Sequence, residues 1–208
     1  MTGEPILSRD ALARIAEAVR RAEAATVGEI VVLVAARAGT YRSAPLAFAL
    51  ACGLLAPWPL ILLTPWSAVS IALAQACVAL GALGFGLHPR LRMALVPRAI
   101  RESRAHEAAR REFRSRGLCR TPGRTGILIY LACAEGHAEI VADSGVAVRV
   151  PAEAWTASIA VLLAALRRGD MEAGLVAAVE RVGAILASEL PDGADGPAVL
   201  SNRVIVVD

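Results

Sequence analysis

The stretch "GLLAPWPLILLTPWSAVS", Gly53 to Ser70, carries no charged residue, three prolines and two tryptophans. It lies inside a longer interval, between Arg42 and His88, in which no Asp, Glu, Lys, Arg or His occurs. Two apolar runs of 20 residues fill the interval, Ala44 to Leu63 and Ala68 to Leu87, with Thr64 to Ser67 between them. At about 1.5 Å per residue each run reaches about 30 Å as a helix, the thickness of a bilayer's hydrocarbon core. The pattern therefore predicts two membrane helices joined by a tight turn. Pro57, Pro59 and Pro65 are expected to break the helix at that turn, and Trp58 and Trp66 suit the far interface. A pair of buried core helices is the alternative, which an interval this long without a charge disfavours.

A hairpin returns the chain to the side it left. Arg37 and Arg42 precede it, and Arg90, Arg92, Arg98, Arg101 and Arg104 follow it, while the turn has no charge. The distribution of arginine predicts a two-pass protein of the inner membrane with both flanks cytoplasmic. The whole composition agrees, with 56% hydrophobic residues and a mean hydropathy of +0.55 over 208 residues. All 22 basic residues are arginine. Without lysine, neither a Schiff-base enzyme nor a P-loop NTPase is built from this chain. Cys52, Cys77, Cys119 and Cys133 form no C-x-x-C pair and fit neither a zinc site nor a disulfide framework, so reduced thiols are expected. The charged, amphipathic opening has no apolar core of signal-peptide type, so export of the N-terminus is not expected.

Outside the apolar runs the sequence alternates helix and strand. Ser8 caps a predicted helix running to about Ala25, with Leu12, Ile15, Ala16 and Val19 as its stripe. Gly28 to Ala36 reads as a strand, apolar on both faces and hence central. Val96 to Gly117 reads as a helix lined by Ala105, Ala109 and Phe113 and stopped by Gly117. Gly126 to Cys133 is a second central strand, Ala134 to His137 a turn, and Ala138 to Ala142 its return. Pro151 opens a helix carrying Trp155, Ile159, Leu162 and Leu166. Gly169 ends that helix, and Asp170 caps another with Leu175, Val179, Val182 and Leu186. Pro191 to Ala198 is a linker, and Arg203 to Val207 an added edge strand or docked tail. The fold class is α/β (α+β): a small mixed sheet sandwiched by helices and interrupted by a transmembrane hairpin. The chain is expected to divide into residues 1–42, the hairpin 43–88, the remainder of the domain 89–190, and a tail 191–208.

The segments "AEAATVGEIVVLVA", "RTGILIYLACAEGHAEIVADSGV" and "RRGDMEAGLVAAVERVGAIL" resemble, in this order and spacing, the TPM domain. That family includes a thylakoid-lumen photosystem II repair protein and many bacterial membrane proteins. The likeness is closest to a bacterial subgroup with a two-helix insertion after the first strand, and the ending "LSNRVIVVD" fits it as well. Where that subgroup commonly has "RERTG" and "DRG", this chain has "PGRTG" and "DSG", at Pro122 to Gly126 and Asp143 to Gly145. The resemblance implies an α/β/α sandwich anchored in a membrane. It also implies phosphatase activity, divalent metal binding, or assembly and repair of membrane complexes.

A metal-assisted phosphatase needs carboxylates converging on an oxygen-loving cation, Ca or Mg. Glu29, opening the first strand, and Asp143, closing the third, are the candidate ligands. Turn stabilisation by Asp143 and simple exposure of Glu29 compete with that role. Asp170 reads as a cap, Glu135 and His137 as turn residues, His106 as structural, and His88 as marking the membrane edge. No other catalytic constellation is proposed from spacing. From His88 to Arg124 there are 11 arginines against 3 glutamates. Arg98, Arg101 and Arg104 are candidate contacts for anionic lipid headgroups. Nucleic acid is the less favoured partner, because aromatic residues are not interleaved with the arginines. The expected function is an interaction or assembly module with membrane-protein partners at the cytoplasmic membrane face. A divalent-metal-dependent phosphatase is the alternative.

Overall fold

The computed structural model describes residues 6–41, 43–88, 93–191 and 204–207. Arg42, Arg90, Arg92 and Arg203 lie outside the described residues, as does the predicted linker beyond Pro191. The chain forms two compact units, residues 1–38 with 102–208, and residues 39–101.

Helix α1 (Arg9–Glu23) begins where the Ala11 N–H donates to Ser8 Oγ at 3.1 Å, and it buries Ala11, Ile15, Ala18 and Val19. Strand β1 (Glu29–Ala35) follows and is buried at every position.

The apolar unit then holds α2 (Ser43–Leu55), α3 (Pro57–Leu63) and α4 (Ala68–Leu87). Ser43–Leu63 and Ala68–Leu87 are both long and apolar enough to cross a membrane. The prolines act differently from the sequence expectation. Pro57 and Pro59 interrupt the helix before the turn rather than at it: α2 ends at Leu55, Ala56 keeps helical dihedrals (φ −56°, ψ −40°) and Pro57 opens α3. What they remove is two N–H donors, so the ladder is interrupted while the helical path continues to Leu63. The turn is Thr64 to Ser67 alone. It is closed by Thr64 Oγ1 donating to the Leu60 carbonyl at 2.6 Å, and Ser67 Oγ caps α4. Small residues let α2 and α4 approach: a Cβ on Gly86 would lie 2.9 Å from Pro45 Cβ, and one on Gly53 3.2 Å from Ala79 Cβ. The outer faces are bare, with Leu50 73%, Leu62 78% and Leu80 69% exposed.

Helix α5 (Arg98–Ser115) buries Ala105, Ala108, Ala109 and Phe113, and the chain leaves it through Gly117 at φ +74°. Strand β2 (Gly126–Ala132) is fully buried, and β3 (His137–Ala142) returns beside it. The turn is Cys133 to Gly136, one residue earlier than expected, so His137 is the first residue of β3. A four-residue helix, α6 (Ser144–Ala147), stands where the sequence suggested a turn. After a 3-10 turn at Ala152–Trp155 come α7 (Thr156–Arg167) and α8 (Met171–Glu189). Asp170 caps α8 by accepting from the Ala173 N–H at 3.2 Å. The tail forms β4 (Val204–Val207).

The sheet order is β3-β2-β1-β4. β1 runs parallel to both neighbours, Glu29 facing Gly126 and Val32 facing Val204, while β3 is antiparallel to β2. Ile30, Val32, Val34, Ile127, Ile129 and Leu131 pack against α1, α7 and α8. Val31, Leu33, Ala35, Leu128, Tyr130 and Ala132 pack beneath α5. The result is the expected mixed sheet between helical layers, with two apolar helices inserted after β1.

Candidate functional site

Glu29 and Asp143 come to the same end of the sheet, on either side of one glycine. Glu29 faces Gly126 across the β1–β2 ladder, and the Asp143 N–H donates to the Gly126 carbonyl at 2.9 Å. Alternation along the strands puts Val31 and Val141 on the α5 side, and so puts Glu29 and Asp143 there too. Three adjacent backbones span about 10 Å, and the middle one carries no side chain at this level. A Cβ on Gly126 would lie 2.3 Å from the Leu118 carbonyl oxygen. That oxygen occupies the gap between the two acidic positions, and glycine is required for it to do so.

A second close approach borders the first. A Cβ on Gly145 would lie 2.1 Å from the Gly123 carbonyl oxygen and 2.7 Å from that of Arg124. Gly123 and Arg124 are both left-handed, at φ 72° and 56°. Arg124 is the one non-glycine residue with positive φ among those described. Such a conformation costs about 1 kcal/mol or more in an L-residue. Thr121 Oγ1 accepts from the Thr125 N–H at 3.0 Å, and Thr125 Oγ1 donates to the Val27 carbonyl at 2.9 Å, fastening this loop to the start of β1.

Both carboxylates are nine-tenths buried, Glu29 at 8% and Asp143 at 9% exposure. Asp143 Oδ1 accepts from the Ser144 N–H at 2.7 Å, which caps α6 and realises the turn-stabilising role read from the sequence. Its Oδ2 is buried without a hydrogen-bond partner. A buried carboxylate oxygen in that state is costly, and a cation would relieve it. The groups at this end offer oxygen alone, the two carboxylates, the Leu118 carbonyl over Gly126 and the Gly123 and Arg124 carbonyls against Gly145, and oxygen donors suit a hard cation such as Ca or Mg rather than a transition metal. Among the described residues no three of His, Cys, Asp or Glu are grouped to hold a metal ion. A cation here would therefore take its remaining ligands from carbonyls and water.

Glu23 is a third carboxylate that sequence reading missed. Its Oε1 accepts from the Ile30 N–H at 2.7 Å, and its Oε2 is buried without a hydrogen-bond partner. The Ile30 N–H points to the β4 side, where pairing begins only at Val32. The carboxylate thus closes an open place in the ladder. Burial pushes the Glu23 carboxyl up to about 7, with the Ile30 N–H pulling it down and the charge of Glu29 pushing it further up. The only sequence signal was a glutamate in the last turn of a helix just before a buried strand.

The histidines assemble elsewhere. His106 Nδ1 from α5 lies 2.7 Å from Glu139 Oε1, and His137 Nε2 lies 3.5 Å from Glu139 Oε2. Burial pushes the Glu139 carboxyl up, but hydrogen bonds to His137 and His106 outweigh it and hold the group below the usual carboxylate range. Glu135 Oε1 accepts from the Ala38 N–H at 3.0 Å, tying the β2–β3 turn to the chain leaving β1. The candidate lipid arginines do not share one face. Steps of three residues along α5 separate Arg98 from Arg104 by about 120°. Arg98 and Arg104 are exposed, whereas Arg101 is half-buried with its Nε out of solvent.

A TPM domain family model matches residues 82–185, half of the chain. The match starts within α4 and runs through α5, β2, β3 and into α8. The NMR structure of BA42 protein from the psychrophilic bacterium Bizionia argentinensis superposes with a TM-score of 0.62 at 18% identity, over 99% of each chain. That likeness carries the fold. No curated protein matches this sequence. The order of elements, the mixed sheet and the family match agree: the chain belongs to the TPM domain family.

Proposed function

We propose that this protein is a membrane-anchored module that holds or assembles other membrane proteins, with its α/β unit on the cytoplasmic face. The observation that carries this reading is the apolar pair. Within the two helices long enough to span, 11% of the first apolar window is buried and none of the second. Such faces need lipid or partner helices to cover them. The excess of arginine on the flanks and the uncharged turn support the cytoplasmic orientation. The test is extraction of the full chain in lipid nanodiscs from its native membrane, followed by size and composition analysis. Defined membrane proteins in fixed stoichiometry are expected, and their loss when Leu73 and Leu80 are replaced by alanine. A particle containing this chain alone would overturn the reading.

A second reading, a phosphatase using a divalent cation, is favoured by Glu29 and Asp143 flanking Gly126 with the Leu118 carbonyl between them. A bound cation would polarise a phosphoryl oxygen and acidify a water. Glu29 and Asp143 would hold it, and Gly126 and Gly145 let the Leu118, Gly123 and Arg124 carbonyls approach the same end of the sheet. Calcium, magnesium or manganese should then raise the melting temperature of the detergent-purified chain, since a cation bound only by the native state stabilises it. Asp143→Asn should abolish both that rise and hydrolysis of a phosphate ester. Turnover undiminished in Asp143→Asn would remove the site.

A further inference from the structure

We infer that the outer face of α5 docks on anionic phospholipid headgroups. The surface is not the one suggested by nearness to the membrane span alone. Ala105, Ala109 and Phe113 fix the inward side of α5. At about 100° per residue, the opposite side carries Arg104, Arg110, Arg111 and Arg114 with one glutamate, Glu107. All four arginines are exposed. No ion pair is seen for any of them among the described residues, although α5 has glutamates within reach and Arg116 pairs with Glu112 at 3.2 Å. The contrast with α1 is direct: Arg14, Arg20 and Arg21 there face Glu172, Glu17 and Glu180. One helix spends its arginines on the protein's own carboxylates, and the other presents them outward.

The occupant follows from the chain path. Helix α4 ends at Leu87 and α5 begins at Arg98, eleven residues later. Those eleven steps span at most about 40 Å when extended, so the basic helix is tethered within that distance of the end of α4. Ile100, 48% exposed, adds an apolar contact at the membrane-proximal end of the same side. Arginine forks match phosphate geometry, and near an anionic surface each is worth about fivefold in occupancy. Nucleic acid would use the same charges but is not held beside α5 by a covalent tether.

This inference rests on the apolar pair being inserted in a bilayer, and the experiment reads the two separately. The full chain is placed in nanodiscs of phosphatidylcholine alone or with about one-third phosphatidylglycerol. Insertion is scored first, by co-elution with either disc, and failure there would overturn the membrane reading itself. Because the chain has no lysine, trypsin then cuts only after arginine. Cleavage after Arg104, Arg110, Arg111 and Arg114 should slow at least tenfold in the anionic discs and recover in 1 M salt, where the Debye length is about 3 Å. Cleavage after Arg14, Arg20 and Arg21 should not change. In the double variant Arg110→Gln with Arg114→Gln, protection at Arg104 and Arg111 should drop at least tenfold. Equal cleavage in both discs, or equal protection of α1, would overturn the proposal. So would an RNA or DNA oligonucleotide that protects α5 in neutral discs as well as phosphatidylglycerol does.

Discussion

Glu23 shows how one side chain takes its chemistry from packing that its neighbours in sequence do not announce. It fills the place beside Ile30 that β4 leaves open, and burial there raises it to about 7 from an ordinary 4.5. Below pH 4.5 the group is protonated folded or unfolded and contributes no pH dependence. Between 4.5 and 7 the unfolded chain gives up a proton that the native state keeps, so this carboxyl costs the fold progressively more stability as pH rises, and the full cost stands above 7. Glutamine keeps the acceptor for Ile30 and carries no charge. Glu23→Gln is therefore expected to match the wild type in melting temperature at pH 4 and to exceed it at pH 8, by detergent-based calorimetry. Glu139 has the opposite sign. Held low by His106 and His137, it contributes stability above pH 4.5 that is lost as pH falls through its depressed native value. Glu139→Gln should melt below the wild type at pH 6 and converge with it as pH falls below the depressed native value. Neither role was legible in the sequence. Glu23 lay unremarked inside the predicted first helix and His106 read as a structural residue without a partner, because those partners, Ile30 and Glu139, are supplied by the tertiary fold.

Elements were far more legible than residues, and the exceptions have local causes. The buried strands Glu29–Ala35 and Gly126–Ala132 announced themselves as unbroken apolar runs, and Ser8 and Asp170 announced the helices they cap. α6 was missed because four residues hold a single turn, too short for any period to show. Pro57 and Pro59 misled for a different reason. In an aqueous domain the two lost donors would end the helix, whereas the apolar sequence on both sides of them favours continuing it. How closely α2 and α4 approach is set by Gly86 and Pro45. A methyl group on Gly86 would sit 2.9 Å from Pro45 Cβ and 3.0 Å from its Cα, and backbone cannot yield as a flexible side chain would. Gly86→Ala is expected to cost about 1–3 kcal/mol of overpacking, measured as loss of thermal stability in detergent. Gly81 has nothing within 4 Å of its would-be Cβ. Gly81→Ala should be neutral or slightly stabilising, because alanine is the better helix former. An equal loss in both variants would mean that glycine matters here for bending and not for contact.

At the scale of the whole molecule, the sheet restricts how the two candidate spans can be arranged. β1 precedes the apolar helices and β2 follows them, yet the two strands pair along seven residues from Glu29↔Gly126 to Ala35↔Ala132. A bilayer cannot pass between two hydrogen-bonded strands, so if the apolar helices cross one, both flanks of the insertion emerge on the same side. Only an even number of crossings allows this, and two candidate spans satisfy it. The sequence displayed two candidate spans and, through its arginines, both flanks on one side, but not which strands would be neighbours. β4 sharpens the point, since a tail at the end of the chain pairs parallel with β1 and makes that first strand central, a long-range contact that local pattern cannot specify. Parity yields a test that needs no ligand or partner. Deleting residues 64–87 leaves one span and places β1 and β2 on opposite faces. That variant should insert in membranes yet lose the protease-resistant α/β unit. Deleting 43–87 removes both spans and leaves the strands on one side, where the unit should regain protease resistance. Reporters fused at the two ends should report the same side in the full chain and opposite sides after the single deletion. If the single deletion kept a protease-resistant sheet with both reporters on one side, the apolar helices would not be spanning segments, and their bare faces would have to be covered by protein.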